Sequence, residues 1–514
     1  MRAFYIFATM LVLMTACTKV QPEEELPPEV PSGGKVYFSL AVKVPPLVEQ
    51  LSGDEDYMVI IPFDKDDRMV VTGDGVSGTL TYDPFLIRPG TTGFSGFLYY
   101  DGPEKPASDL KLEVRRINPS FANDGKGVTA PIAARTLQEA VYRYGCSTGT
   151  CSYGSPIVEL SQETAFFSLY LNSRVAFPSG KGNKITLMND GASYGPFDFD
   201  ITKAESLVLA LPGGTKLSGT FLKLDGIATF PVKYWMVPDG QDSLVLEGGI
   251  HYSNQYDIYD LTRENAYVTT TNVVIYQSNP LKSTEHVIST FGDTRNVTLS
   301  NINISTSHSS PIFFGSNTSL WVDGYCKAVS TYGENPAIAV VSPHSLHISG
   351  DGTLIAESGG EVGGGAGIQF GGPGRQCGDL VIEGSVSVEA RGAEGASGIG
   401  MGMIPSYQML EYYLGNIVIN TSGTVKATGG AGAAGIGSAR LPDWAVYVAF
   451  GKISVSGGVV DATAGSDDVP DIGVCEGVDI RPGVSVDAGV THDGIHNYHV
   501  ARTEGDVVVG YKKD

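Results

Sequence analysis

The chain has 514 residues, with 34 Lys plus Arg against 56 Asp plus Glu and a formal net charge of −22 at pH 7. Phosphate backbones are held by basic faces, so this balance excludes nucleic acid as a first-choice partner and favours solubility outside the cell. The length leaves room for about three domains, and beyond the first residues no stretch is long and apolar enough to span a bilayer.

Residues 1–16 carry Arg2, the apolar runs Phe4 to Phe7 and Met10 to Met14, and the small pair Thr15 and Ala16. This is the layout of a signal peptide with a short apolar centre. The ending Leu13-Met14-Thr15-Ala16-Cys17 resembles a bacterial lipoprotein box. That resemblance implies a lipidated Cys17 as the mature N-terminus, anchored by acyl chains that each contribute ~0.8 kcal/mol per buried methylene. The other reading is an ordinary secretory signal with an incidental cysteine. Residues 17–34 hold Glu23, Glu24, Glu25, Glu29 and four prolines, too polar for a core and suited to an extended, acidic, Pro-rich tether. An acidic run so near a lipidated cysteine resembles the surface-export signal of Bacteroides-type lipoproteins, which implies an exposed position on the cell outer membrane. A solvated linker without an address is the alternative.

From Lys35 the pattern is that of strands. Lys35 to Val44 alternates, with Val36, Phe38, Leu40 and Val42 on one face; Tyr57 to Phe63, Gly78 to Tyr82, Phe94 to Tyr100 and Leu110 to Ile117 follow between Gly, Pro and Asp turns. Thr136 to Tyr144 predicts a helix. Ala165 to Phe177, Lys184 to Met188, Ser206 to Leu211, Leu217 to Leu224 and Ser243 to Leu246 form a second strand-rich block. Short strands so punctuated predict two antiparallel β-sandwich domains, 35–160 and 161–265.

Four stretches carry a family resemblance: KVYFSLAVKV at Lys35, ITLMND at Ile185, LSGTFLKLDG at Leu217 and GGIHYSNQYDI at Gly248. This half resembles the fimbrillin-like adhesins and fimbrial anchor or accessory subunits of Bacteroidetes. The resemblance implies a role in cell adhesion and fimbrial subunits as partners. Typical fimbrillins end after two sandwiches, whereas this chain continues.

The continuation, 266–489, repeats one phrase. An apolar-X-alanine triplet recurs at Cys326-Lys327-Ala328, Leu354-Ile355-Ala356, Val388-Glu389-Ala390, Val425-Lys426-Ala427, Val460-Asp461-Ala462 and Val486-Asp487-Ala488. A small-residue run closing on isoleucine recurs at Ile338, Ile368, Ile399, Ile436 and Ile472. Copies lie roughly 26 to 37 residues apart, a period of stacked coils that bury their apolar faces against one another. A C-terminal parallel β-solenoid is therefore expected, closed by a tail or cap at 490–514, so that the whole chain is all-β. The stretch Gly423 to Gly437 resembles the Gly-rich repeats of bacterial surface proteins. Charges at the triplet centres, Glu389, Lys426 and Asp461, predict a ladder of ion pairs.

Cys146 and Cys151 enclose only Ser-Thr-Gly-Thr, and in an exported chain that spacing predicts a disulfide. Cys326 takes the inward triplet position and is expected buried, while Cys377 and Cys475 follow different corners and are not expected to pair.

Candidate site residues are of three kinds. Two insertions after consecutive Gly-Ile-Gly corners carry Tyr407, Tyr412 and Tyr413, then Trp444, Tyr447 and Phe450. Equivalent corners of adjacent coils are neighbours, so these aromatics either stack on a glycan or protein partner or pack on each other. His492, His496 and His499 could meet a metal, or belong to a tail packed on the last coil; Asp467, Asp468 and Asp471 could bind calcium, or form a solvated turn. Asp242-Ser243-Leu244 resembles the short O-glycosylation sequon of Bacteroidetes. No Ser-His-Asp spacing, phosphate loop or zinc motif occurs, so no cofactor and no enzymatic activity are expected. The reading is an exported, lipid-anchored surface adhesin, possible as a fimbrial tip or accessory subunit. The alternatives are a polysaccharide-degrading β-helix lyase or hydrolase and a structural fimbrial accessory without its own ligand.

Overall fold

A computed structural model describes residues 36–38, 40–43, 47–50, 56–59, 63–83, 93–101, 106–173, 181–198, 206–216, 220–232, 245–246, 248–292, 294–359, 364–373, 378–404, 411–441 and 447–514. Cys17, the tether, Asp242 to Leu244, Cys377, Tyr407 and Trp444 lie outside the described residues. The described chain is nearly all β, with one α-helix, Leu137–Tyr144. Thr136 caps that helix by accepting from the Glu139 backbone N–H at 3.1 Å, and its apolar face buries Ala140, Val141 and Tyr142. Two compact units are present, and they interleave along the chain: Met1–Ser168, Ser206–Leu217 and Met236–Tyr252 form one, the remainder the other.

The first unit contains an antiparallel sheet in which Val36–Phe38, Leu98–Tyr100, Val76–Tyr82, Arg68–Gly73, Lys111–Ile117, Ser147–Ser152 and Ser161–Gln162 are successive neighbours. Its strands alternate as the sequence pattern requires, so Met69, Val71, Leu112 and Val114 face one core. A parallel pair, Ala41–Lys43 with Ile157–Glu159, brings Val42 and Val158 to the same core. Inside this unit Arg116 donates to both carboxylate oxygens of Asp67, at 3.1 and 2.7 Å, with both side chains almost fully buried.

The expected Cys146–Cys151 disulfide is not formed; both thiols are free. Cys146 directly precedes, and Cys151 lies within, the extended strand Ser147–Ser152, in which Thr148 to Ser152 pair residue by residue with Arg115 through Lys111. Five extended residues span about 16 Å, against the ~7 Å limit for a disulfide's Cα atoms. The Cys146 thiol instead donates to the Gly125 carbonyl at 3.1 Å, while Cys151 packs against the sheet's core.

In the second unit each turn of chain lays one strand on each of three parallel ladders. The first ladder includes Arg295–Ser300, Thr318–Asp323, Leu346–Gly350, Leu380–Gly384, Ile417–Thr421, Ile453–Val455 and Val484–Val486. The second runs Asn303–Thr306, Tyr325–Ser330, Thr353–Ser358, Ser387–Arg391, Thr424–Thr428, Val459–Thr463, and the third includes Ile338–Val340, Ile368–Gln369, Ile399–Gly400, Ile436–Gly437 and Ile472–Gly473. The repeated phrase is the register: Ala328, Ala356, Ala390, Ala427 and Ala462 pair in one column, and Ile338, Ile368, Ile399, Ile436 and Ile472 in another. Both columns are buried and feed one continuous core, as stacked repeats demand.

Glycine shapes the third corner. Gly400, Gly437 and Gly473 have φ of +133°, +132° and +143°, and a Cβ on Gly400 would sit 2.2 Å from the Gly437 carbonyl oxygen. Only a residue without a side chain fits that approach.

Two repeat expectations need correcting. Val486-Asp487-Ala488 is not a sixth second-ladder triplet, because Val484–Val486 pairs with Ile453–Val455 on the first ladder and Ala488 is exposed. The chain then leaves the coil and returns as an antiparallel hairpin, Tyr498–Glu504 with Val507–Lys513, whose second strand pairs with Ile472–Gly473 and closes the third ladder. The ion-pair ladder is partial: Lys426 pairs with Glu389 at 3.1 Å, but Asp461 is taken by Lys513 of the hairpin.

A four-stranded antiparallel sheet of Ala192–Asp198, Lys184–Asn189, Phe221–Leu224 and Ala228–Pro231, two hairpins joined by a crossover, belongs to this same unit. It covers the outward face of the first ladder's early turns. Phe221 packs on Trp321 and Phe230 on Tyr256, with ring centroids 5.4 and 5.1 Å apart. Asp323 accepts from the Thr229 N–H at 3.1 Å and from Ser300 Oγ at 2.6 Å.

Candidate functional site

After the third-ladder glycine corner, several turns insert extra chain before rejoining the first ladder. The insertions build a short fourth ladder of Gly372–Pro373, Tyr412–Leu414, Val448–Phe450 and Val478–Asp479. Register sets Tyr412 against Val448, Tyr413 against Ala449 and Leu414 against Phe450, and then Ala449 against Asp479. Alternation sends Leu414, Val448 and Phe450 into the core and leaves Tyr413 on the outer side.

The aromatic residues therefore divide. Phe450 is core, and Tyr412 packs against it, with burial pushing its phenol up to about 12. Tyr413 and Tyr447 meet on the edge, edge-to-face, with centroids 5.8 Å apart. Polar groups fence the pair: the Tyr447 hydroxyl donates to Asp479 Oδ2 at 2.6 Å, Arg481 Nε donates to the same oxygen at 3.0 Å, and the Tyr413 hydroxyl donates to Glu411 at 3.1 Å. The hydrogen bond to Asp479 raises both the Tyr447 phenol and the Arg481 guanidinium above their ordinary values. Beside the start of this ladder lies a groove of about 230 Å³ lined by Val340, Val341, Ser342, Gln369, Gly371 and Gly372.

Aromatic faces bordered by carboxylates and a guanidinium match a hydroxyl-rich ligand, whose C–H faces stack while its hydroxyls exchange hydrogen bonds with the charged rim. Glu411, Asp479 and Arg481 were not legible as partners of the aromatics. Asp479 and Arg481 sit one turn beyond Tyr447, in Val478-Asp479-Ile480-Arg481, whose alternation is the only signal that they face outward.

The candidate metal residues also separate. His492, Asp493 and His496 gather at the start of the C-terminal segment, whereas His499 bonds to Asp514 at 2.9 Å and stands apart from them. Asp467, Asp468 and Asp471 do not form a calcium set: the two Asp471 oxygens accept backbone N–H groups of Ala464 and Lys513, at 2.8 and 3.0 Å, and Asp467 and Asp468 are exposed.

No family model and no curated protein matches the chain. Among solved structures it is similar to a candidate cell adhesion protein of Bacteroides fragilis, at 11% identity and a TM-score of 0.22, over 42% of this chain and 91% of that one. It is also similar to a fimbrial protein of Bacteroides ovatus, at 11% identity and a TM-score of 0.20, over 43% and 51%. A candidate cell adhesion protein of Bacteroides ovatus gives 10% identity and a TM-score of 0.21, over 43% and 92%. Scores so low transfer neither fold nor function, and the functional reading rests on this chain's own residues.

Proposed function

We propose that this chain is a surface-exposed lipoprotein adhesin that holds a glycan-binding or protein-binding edge away from the outer membrane. In this reading Cys17 carries the lipid and residues 17–34 are the tether. Residues 35–160 form a fimbrillin-like sandwich; 161–265, expected as a second sandwich, is shared between the two compact units; 266–489 form a β-solenoid and 490–514 cap it. The observation that carries the proposal is the Tyr413–Tyr447 pair on the fourth ladder, 5.8 Å between centroids and fenced by Glu411, Asp479 and Arg481. Those two rings contribute little to the core, since Leu414, Val448 and Phe450 already fill it. Recognition by ring faces and a charged rim is non-covalent, so the activity is binding rather than catalysis.

The test is a glycan array with the purified full chain beside a Tyr413→Ala/Tyr447→Ala variant that keeps the parent's thermal transition. Aromatic contacts contribute ~0.5–1.5 kcal/mol each, so losing two should weaken binding of a retained saccharide roughly 5- to 150-fold. Equal binding by both proteins would remove the site from this edge. Shortened or unsaturated sugar products would instead establish an enzyme. If no saccharide binds, the same variant pair serves to seek a protein partner among fimbrial subunits.

A further inference from the structure

The segment Thr491–Asn497 joins the last turn of the ladders to the closing hairpin, and it is folded more tightly than a linker needs. The His492 N–H donates to the His496 carbonyl at 3.0 Å. Asp493 Oδ1 accepts from the N–H groups of Ile495 and His496, at 2.9 and 2.8 Å, while its Oδ2 meets His496 Nδ1 at 2.7 Å. A polar turn accounts for that much. It does not account for His492, whose ring lies against the His496 ring at 5.7 Å and 20°. Nor does it account for His492 Nε2, which is sealed from solvent without any hydrogen-bond partner. A buried imidazole nitrogen left unpaired is unfavourable, and a coordinated cation is one of the few ligands that satisfies it.

We propose that His492, Asp493 and His496 form a divalent metal site, with Zn2+ the best-matched ion, which rigidifies the segment joining the end of the ladders to the closing hairpin. One nitrogen from each histidine and one Asp493 oxygen lie within 4.8 Å of one another. Tetrahedral zinc with ligands at 2.0–2.1 Å sets them roughly 3.3 Å apart. Asp493 and His496 are exposed, and the contraction exchanges the Asp493 Oδ2–His496 Nδ1 hydrogen bond for bonds to the ion. Two imidazoles and one carboxylate suit zinc and its neighbours in the transition series rather than calcium or magnesium, which take oxygen. Water completes the shell. His499 takes no part, because it is held by Asp514.

The site sits where closure needs reinforcement. Val490, two residues before it, is buried in the core, Thr491 bridges to Val459 on the second ladder, and the Tyr498 ring stands edge-on to His492 at 5.9 Å. Tyr498 begins the hairpin, and its hydroxyl bonds to both Val460 O and Ala462 N. A metal here fixes the short path between Thr491, bridged to the last second-ladder strand, and Tyr498, where the hairpin begins.

The experiment is isothermal titration of the metal-stripped full chain with ZnCl2, together with thermal unfolding, for the parent, His492→Gln, His496→Gln and His499→Gln. One equivalent should bind to the parent and to His499→Gln and raise both melting temperatures. Each of the other two variants should lose at least about tenfold in affinity. Co2+ absorption adds a readout of coordination geometry that does not depend on stability. No saturable uptake, uptake unchanged in His492→Gln and His496→Gln, or uptake lost in His499→Gln would each overturn the assignment.

Discussion

A Cβ placed on Gly437 would lie 1.8 Å from the carbonyl oxygen of Gly473, one turn further along the third ladder. Gly437 is thus confined both by its φ of +132° and by the backbone stacked on it. Gly437→Ala must either open the ladder or distort the corner, and we expect it to cost about 2–3 kcal/mol or more. Urea denaturation against Gly489→Ala, where added bulk meets nothing within 4 Å, checks this; equal midpoints would refute the close-approach argument.

Arg116 and Asp67 are expected to behave as a unit. Asp67 also accepts from Asn118 Nδ2 at 2.9 Å and the Asp64 N–H at 2.8 Å, and the Arg116 guanidinium lies over the Phe63 and Tyr142 rings. Arg116→Met strands a buried carboxylate, a loss of about 3–5 kcal/mol. Asp67→Asn/Arg116→Met should recover part of it. The comparison is read from chemical unfolding of both variants.

Because no bond joins Cys146 and Cys151, a reductant should leave the melting temperature unchanged. Burial, reinforced by Glu163, pushes the Cys146 thiol up to about 12, so native labelling at neutral pH should be slow. After denaturation without reductant, alkylation followed by mass spectrometry should find both residues modified. An unmodified, disulfide-linked pair would contradict the extended strand between them.

Asp323 carries a pH dependence of definite sign. Burial under the four-stranded sheet raises its carboxyl above the ordinary value, against the lowering pull of the Ser300 and Thr229 hydrogen bonds. A raised folded-state value means the native protein binds this proton more tightly than the unfolded chain does. The stabilisation is then complete below the unfolded value and is lost as pH rises through the folded one. Asp323→Asn should flatten the stability profile across that window, measured by thermal unfolding from mildly acidic to neutral pH. A profile parallel to the parent's would show that Asp323 is not the titrating group.

How much was legible depended on whether a signal repeated. The alanine and isoleucine columns could be read because a stacked coil buries the same position every turn, and five copies of each agree in register. The Val486 triplet matched the phrase but not the place, since its coil ends before reaching the second ladder. The inserted aromatics were recognisable as neighbours, but which ring was core and which was edge depended on strand parity. Tyr413 faces out and Phe450 in. Asp479 and Arg481 carried no repeat signal at all.

The sequence alone determined that the chain is all-β, that its C-terminal half repeats with small residues at corners, and where the inward columns lie. These follow from local periodicity and from the need of each repeat to bury one face against the next. Tertiary structure alone decided which distant groups meet. It put the strands Phe221–Leu224 and Ala228–Pro231 on Trp321 and Asp323, held Cys146 and Cys151 apart along a strand, and set His492 beside His496 while giving His499 to Asp514. Such meetings depend on where the chain turns back and which face a single residue presents. A pattern in one dimension does not encode either.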